Sequence, residues 1–350
     1  MTRQISAGNV QIGGGAPVSV QSMCNTDTRD VGATVDQIKK LEQAGCDIIR
    51  VAVFDNDSAM AVKKIKEQIH IPLVADVHFD YRLAIQAVEN GVNKLRINPG
   101  NIGSEARVRM VVDCCREHRV PIRIGVNGGS LQKDLLEDFQ KDPAGAMVES
   151  ALGHIRILER CGFEDIALSL KHTSVPVTVG AYRLVHSVVD YPLHIGITET
   201  GPSDRGIIKS SAGIGALLLD GIGDTIRVSL TGDPVHEVET GISILRAIGI
   251  RKDDVDIVSC PTCGRTRCNV EEAVSYVDSH VKHNSGYLKI AVMGCAVNGP
   301  GEARSADLGV AFGDGKGVLF RKGVIIENGS YDTMLKRLVD LTNQMLEDQR

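Results

Sequence analysis

Eight short apolar runs recur along the first 230 residues, and each is followed by a helical pattern. They are PVSVQSM (17–23), DIIRVAV (47–53), PLVADVHF (72–79), KLRINPG (94–100), PIRIGVN (121–127), DIALSLKH (165–172), PLHIGIT (192–198) and DTIRVSL (224–230). Short, continuously apolar runs suit strands buried on both faces. Between them lie stretches such as TVDQIKKLEQAG and DYRLAIQAVENG, and several of these end in Gly just before the next run, a helix stop. Eight strand–helix pairs in about 250 residues predict a (β/α)8 barrel of the TIM type over residues 1–250. An open doubly wound sheet would want a G-x-G-x-x-G turn after its first strand, and the chain has none there. The long interval between the fifth and sixth runs, DLLEDFQKDPAGAMVESALGHIRILERCG, predicts an extra helix.

The pattern changes after about residue 252. DVDIVSC reads as a strand, EEAVSYVDSHVKH as a helix, YLKIAVM as another strand, and ADLGVAFG, GVLFRKG and VIIENG as short strands joined by Gly turns. YDTMLKRLVDLTNQMLED closes as an amphipathic helix, with Met334, Leu335, Leu338, Leu341 and Met345 on one face. Residues 255–350 therefore read as a small α+β domain, with GIRKDD (249–254) as a mobile linker.

A net charge of −5, aromatics at 3% and no Trp argue against a nucleic-acid partner. No apolar run approaches the ~20 residues of a membrane span, and the N-terminus has no apolar signal segment. The expectation is a cytoplasmic protein without a membrane partner. Nine cysteines in a reducing compartment are not a disulfide framework.

Active sites of such barrels lie at the C-terminal ends of the strands. The polar residues there are Arg50, His78, Arg96, Arg123, Asn127, Lys171, His172, Glu199, Arg227 and Ser229. A single Arg would be expected to pair with a carboxylate. Four Arg and a Lys at matching positions of different strands point to an anion instead, because guanidinium groups grip phosphate oxygens two at a time. The barrel mouth is thus expected to take a phosphate or diphosphate ester. In DVHFD (76–80), His78 is read as a phosphate donor oriented by Asp76, in preference to a divalent metal site. Lys171 suits phosphate binding or, if desolvated, a Schiff base. Glu199 is the lone acid of the set, either a proton donor or a partner for one of the Arg residues.

CPTCGRTRC (260–268) packs Cys260, Cys263 and Cys268 into nine residues, and Cys295 follows in GCAVNGPGEA (294–303). The spacing admits a structural zinc or an iron–sulfur cluster, with a plain redox pair behind both. On residues alone, a phosphosugar lyase or isomerase with a zinc-stapled tail and a non-catalytic iron–sulfur sensor also stand open.

CPTCGR (260–265) and GCAVNGPGEA (294–303) resemble the 4-hydroxy-3-methylbut-2-enyl diphosphate synthase family of the non-mevalonate isoprenoid pathway. The resemblance covers nearly the whole chain, through VQIGGGAP (10–17), PLVADVHFDYR (72–82), LRINPGNIG (95–103), PIRIGVNGGSL (121–131), HIGITE (194–199) and GIGDTIRVSL (221–230). It implies a 4Fe–4S cluster held by Cys260, Cys263, Cys295 and Glu302; Cys268 departs from the family's pattern, either as a fourth ligand in place of Glu302 or, the preferred reading, as a spare thiol. It also implies reduction of 2-C-methyl-D-erythritol 2,4-cyclodiphosphate to (E)-4-hydroxy-3-methylbut-2-enyl diphosphate, with two electrons taken up and water lost. The catalytic residues are then Glu199, as proton donor, and Glu302, as an exchangeable ligand. Flavodoxin or ferredoxin is the implied electron donor, a homodimer the implied assembly, and the short two-domain form the one that 350 residues fit.

Overall fold

In a computed structural model, the protein is described over residues 1–128, 136–295, 301, 303–313 and 315–349. It divides into two compact units, Met1–Ile248 and Gly249–Arg350.

The first unit opens with an antiparallel hairpin, β1 (Ile5–Ala7) and β2 (Val10–Ile12). Eight parallel strands follow: β3 (Ser19–Met23), β4 (Ile48–Ala52), β5 (Leu73–Asp76), β6 (Lys94–Ile97), β7 (Ile122–Asn127), β8 (Ile166–Lys171), β9 (His194–Ile195) and β10 (Thr225–Ile226). They are ordered β8-β7-β6-β5-β4-β3-β10-β9, and a parallel bridge from Leu168 to Leu193 brings the two ends of the sheet together. Each expected run carries one strand. The fourth is shorter than read, because Asn98 caps a helical turn at Pro99–Ile102. The expected extra helix is Leu136–Lys141, ahead of the longer helix Pro143–Arg160.

Local chemistry sets these boundaries. Asp30, Asp55, Asp80, Asp142 and Asp233 each accept a backbone N–H at the start of the helix they precede. At the other end, Gly45 and Gly91 take φ of 94° and 92°, which lets the chain leave a helix and turn into the next strand. The helices bury one face each against the outside of the sheet in a single large core. The N-terminal hairpin was not apparent from the sequence. Ile5, Ala7 and Ile12 pack on Ile48, Val74 and Ala167, so it closes the N-terminal end of the barrel and leaves the other end for chemistry.

The second unit is a five-stranded sheet in the order β11 (Val255–Ser259), β12 (Leu288–Met293), β13 (Leu308–Gly313), β14 (Lys316–Arg321) and β15 (Val324–Ser330). The first three run parallel and the last three antiparallel. Helices Val270–His280 and Tyr331–Glu347 share a core with it through Ala273, Val277, Ile290, Val310 and Leu338. The last helix buries Met334, Leu335, Leu338 and Val339, while Leu341 and Met345 are only partly covered. Among the described residues, no helix is long and apolar enough to cross a membrane.

Candidate active site

Along barrel strands, alternate side chains point inward. Arg50 of β4, Asp76 of β5 and Arg96 of β6 are inward positions toward the C-terminal ends of their strands, and they meet. Arg96 Nη1 donates to Asp76 Oδ1 at 3.0 Å, and Arg50 Nε lies 3.7 Å from Asp76 Oδ2. His78 Nε2 lies 3.6 Å from Asp76 Oδ1 and 3.3 Å from Arg96 Nη1. Asp76 is a buried hub that fixes two guanidinium groups and an imidazole. Burial alone would raise its pKa; the charge of Arg50, the hydrogen bond from His78 and the charges of Arg96 and Arg123 outweigh burial and hold it far below the usual carboxylate range. Asp80, the other acid of DVHFD, turns away to cap the helix Tyr81–Glu89 and pair with Arg82.

Across the mouth, Arg227 follows β10. Its Nη2 lies 3.5 Å from Oε2 of Glu237, on the helix Pro234–Ala247. Lys171 ends β8, and burial, followed by the charges of Arg50, Arg227, Arg123 and Arg96, pushes its amine well below the usual range. These groups surround a cavity of about 610 Å³. Of the residues expected from sequence, Arg50, His78, Arg96, Asn127, Lys171, His172, Glu199 and Arg227 line it, whereas Arg123 and Ser229 do not. Arg123 lies fully buried, and none of its three guanidinium nitrogens has a partner among the described residues. The Ser229 carbonyl accepts the Thr200 hydroxyl at 2.6 Å, fixing the loop after β10 to the loop after β9.

Glu199, in that β9 loop, is exposed and holds φ at 51°, a left-handed conformation that costs a non-glycine residue of order 1 kcal/mol or more. The strain aims an acid at the cavity rim. Sequence reasoning missed Met23 and Glu237. Met23 Sδ touches Arg50 Nη2 at 2.7 Å and Nε at 3.0 Å. Chemically, four cationic side chains, Arg50, Arg96, Lys171 and Arg227, line the cavity, and Asp76 and Glu237 are the buried carboxylates set against them, with Glu199 at the rim. The positive surplus calls for a polyanionic ligand, which would also favour the charged form of Lys171.

In the second unit, the two cysteine segments are pinned together. The Gly294 N–H donates to Cys260 Sγ at 3.1 Å, and the Arg267 N–H to the Gly294 carbonyl at 2.9 Å. Cys295 follows Gly294 directly. The backbone N–H of Arg265 draws the exposed Cys263 thiol below its usual range. Burial, then the nearby Cys260, pushes Cys268 up. No group of three His, Cys, Asp or Glu able to hold a metal ion is found among the described residues. Glu302 lies outside the described residues. Free thiols facing backbone N–H groups on two linked loops are nonetheless the donor chemistry that iron–sulfur clusters use.

A parallel β/α barrel with a cation-rich mouth, joined to a smaller unit bearing paired cysteine loops, defines a barrel protein built to receive a polyanion. Two family models account for nearly all of the chain: residues 2–242 match the GcpE TIM-barrel domain, and residues 256–344 match the GcpE protein C-terminal domain. The chain belongs to the GcpE family. It is 55% identical over 349 residues to a protein of Caldanaerobacter subterraneus named 4-hydroxy-3-methylbut-2-en-1-yl diphosphate synthase (flavodoxin), covering all of this chain and 98% of that one. It is 54% identical over 347 residues to a protein of that name from Geobacter sulfurreducens, covering 99% of this chain and 98% of the relative. Among solved structures, dihydropteroate synthase from Stenotrophomonas maltophilia superposes with a TM-score of 0.51 at 14% identity, over 70% of this chain and 97% of that one. The Yersinia pestis dihydropteroate synthase gives 0.50 at 12%, over 71% and 98%. At such identities, only the barrel fold is shared.

Proposed function

We propose that this chain is a 4-hydroxy-3-methylbut-2-en-1-yl diphosphate synthase. It reductively opens 2-C-methyl-D-erythritol 2,4-cyclodiphosphate to (E)-4-hydroxy-3-methylbut-2-enyl diphosphate. One carbon–oxygen bond to phosphate breaks to open the ring, a second is lost with the departing water, and a carbon–carbon double bond forms. Two electrons and two protons balance the change. The observation that carries this reading is the mouth in which Arg50, Arg96, Lys171 and Arg227 surround one cavity with, among the described residues, only Asp76 and Glu237 as buried counter-charges.

Arg50, Arg96, Lys171 and Arg227 hold the diphosphate, with His78 and Asn127 donating at its edges. Arg123 adds charge one layer below, and Ser229 shapes the loop beside Arg227. Because Asp76 has already fixed Arg50 and Arg96, little reorganisation is needed as charge develops on the opening phosphate. Glu199, held at the rim in its strained conformation, gives a proton to the hydroxyl that leaves as water.

Cys260, Cys263, Cys295 and Glu302 would hold a 4Fe–4S cluster. When bound, such a cluster supplies electrons one at a time and an iron as Lewis acid. Cys268 is a spare thiol in this reading, flavodoxin or ferredoxin is the donor, and the working form is a cytoplasmic homodimer. The barrel, residues 1–250, binds substrate, and residues 255–350 carry the cluster.

The test is anaerobic purification of wild type, Cys268→Ser and Glu302→Ala, with iron and sulfide analysis and a product assay driven by reduced flavodoxin. About four irons per chain and full turnover in Cys268→Ser, with turnover lost in Glu302→Ala, are expected. Zinc in place of iron, or wild-type protein that holds the cluster but leaves the cyclic diphosphate unchanged, would sink the assignment.

A further inference from the structure

We propose that Glu237 is a positioning residue for the anion site, acting through Arg227; the proposal rests on the reading of the barrel mouth as a diphosphate site. Glu237 belongs to an outer helix, Pro234–Ala247, yet only 5% of it is exposed. Its carboxylate joins three elements. Oε1 accepts the Leu230 N–H at 3.0 Å, from the loop after β10. Oε2 accepts the Ser22 hydroxyl at 3.1 Å, from β3, and lies 3.5 Å from Arg227 Nη2. The first turn of a helix favours a negative charge, and Asp233 caps the same helix two residues before Val235.

This arrangement holds the Arg227 guanidinium at Nη2 and leaves Nε uncommitted among the described residues. Arg227 Nε is buried without a partner among the described residues. Arg227 lines the cavity, so its guanidinium, anchored at Nη2, is held at the edge of the space a ligand would fill. The two buried carboxylates thus divide the mouth. Asp76 fixes the cations of β4 and β6, and Glu237 fixes the one after β10 together with its loop. Without Glu237, Arg227 would have to be ordered by the ligand itself, at the ligand's expense in affinity.

Positioning and plain charge give opposite signs. Neutralising a background carboxylate makes the mouth more cationic and should strengthen anion binding. Neutralising a positioning carboxylate should weaken it. The experiment is calorimetric titration of the full-length protein with inorganic pyrophosphate and with the cyclic diphosphate, comparing wild type, Glu237→Gln and Glu239→Gln. Glu239 removes the same charge from the same helix but pairs with His236 on the surface. Glu237→Gln should bind both ligands about tenfold more weakly, and Glu239→Gln should bind as wild type does. Equal or tighter binding by Glu237→Gln overturns the proposal.

Should Glu237→Gln fail to fold, Glu237→Asp is measured in wild-type and Arg227→Ala backgrounds. A loss of affinity confined to the first supports action through Arg227, and an equal loss in both overturns it. Wild-type protein that binds neither ligand would remove the diphosphate reading itself and this proposal with it, an outcome distinct from a failure at Glu237 alone.

Discussion

Gly125, in the middle of β7, is given no role of its own by the run PIRIGVN, yet it decides where Arg96 can lie. A Cβ built there would stand 2.5 Å from Arg96 Nε and 2.6 Å from Nη2. The guanidinium crosses directly over the glycine on its way to Asp76. Gly125→Ala must therefore push Arg96 off its hydrogen bond, at an overpacking cost of about 1–3 kcal/mol. Affinity for the cyclic diphosphate should fall at least tenfold, while the barrel still unfolds cooperatively. Calorimetry and a melting curve on the variant check this; unchanged affinity would mean that Arg96 reaches the ligand from another rotamer. The same contrast separates the legible residues from the hidden ones. Arg50, Arg96, Lys171 and Arg227 are visible in sequence because each is a cation that interrupts or ends an otherwise apolar run. Glu237 is hidden because HEVE in a helix reads as an exposed acidic turn; only the contact with Arg227 gives it a role. Arg123 holds a like place in its run, and the structure buries it fully, outside the residues that line the cavity.

At the scale of elements, the eight barrel strands are legible because burial on both faces writes itself as an unbroken apolar run. The hairpin β1–β2 is not, because three-residue strands are too short to show alternation, and its worth lies in plugging Ile48, Val74 and Ala167 from below. Above that plug the strands do something a barrel core ordinarily avoids. Gln21 on β3, Lys94 on β6, Arg123 on β7 and His194 on β9 are all buried within the barrel unit. Burial first, then the charges of Arg123 and Arg50, pushes the Lys94 amine well below its usual range. Burial and the same cations, with Lys94 and Lys171, do likewise to His194. A base whose folded pKa is depressed binds fewer protons when folded than when unfolded, at every pH between the two values. Stability therefore rises with pH across that window. For His194 the rise ends near the unfolded value of about 6.5, and for Lys94 near about 10.4. The ligand-free protein should accordingly resist urea better at pH 9 than at pH 6. Lys94→Met, which removes the buried amine, should flatten the upper part of that slope and stabilise the barrel at pH 7 by ~1–3 kcal/mol. A urea midpoint that falls between pH 6 and 9, or a destabilised Lys94→Met, would show that an interior anion or bound water already compensates this layer.

For the whole molecule, the division of labour follows from where the two chemistries sit in the chain. Every cation of the mouth, its two buried carboxylates and Glu199 come before Ile248, and all the cysteines of the paired loops come after Gly249. Each unit has its own apolar core, one wrapped around the eight-stranded sheet and one between the five-stranded sheet and its helices. The chain carries a net charge of −5, so the attraction for a diphosphate is local to the mouth and does not depend on the protein's overall field. Among the described residues, all that line the cavity belong to the first unit, so on the proposed reading that unit should capture the diphosphate by itself. Residues 1–248 produced alone should unfold in one cooperative transition and bind the cyclic diphosphate within a few-fold of the intact chain, while holding no iron and turning nothing over. Titration of the fragment beside the full-length protein decides the matter. Affinity within a few-fold would establish that substrate capture belongs to the barrel and electron supply to the smaller unit. A loss of more than about tenfold in a fragment that still melts cooperatively would mean that residues beyond 248 reach the diphosphate themselves, and the mouth would then have to be redrawn to include them.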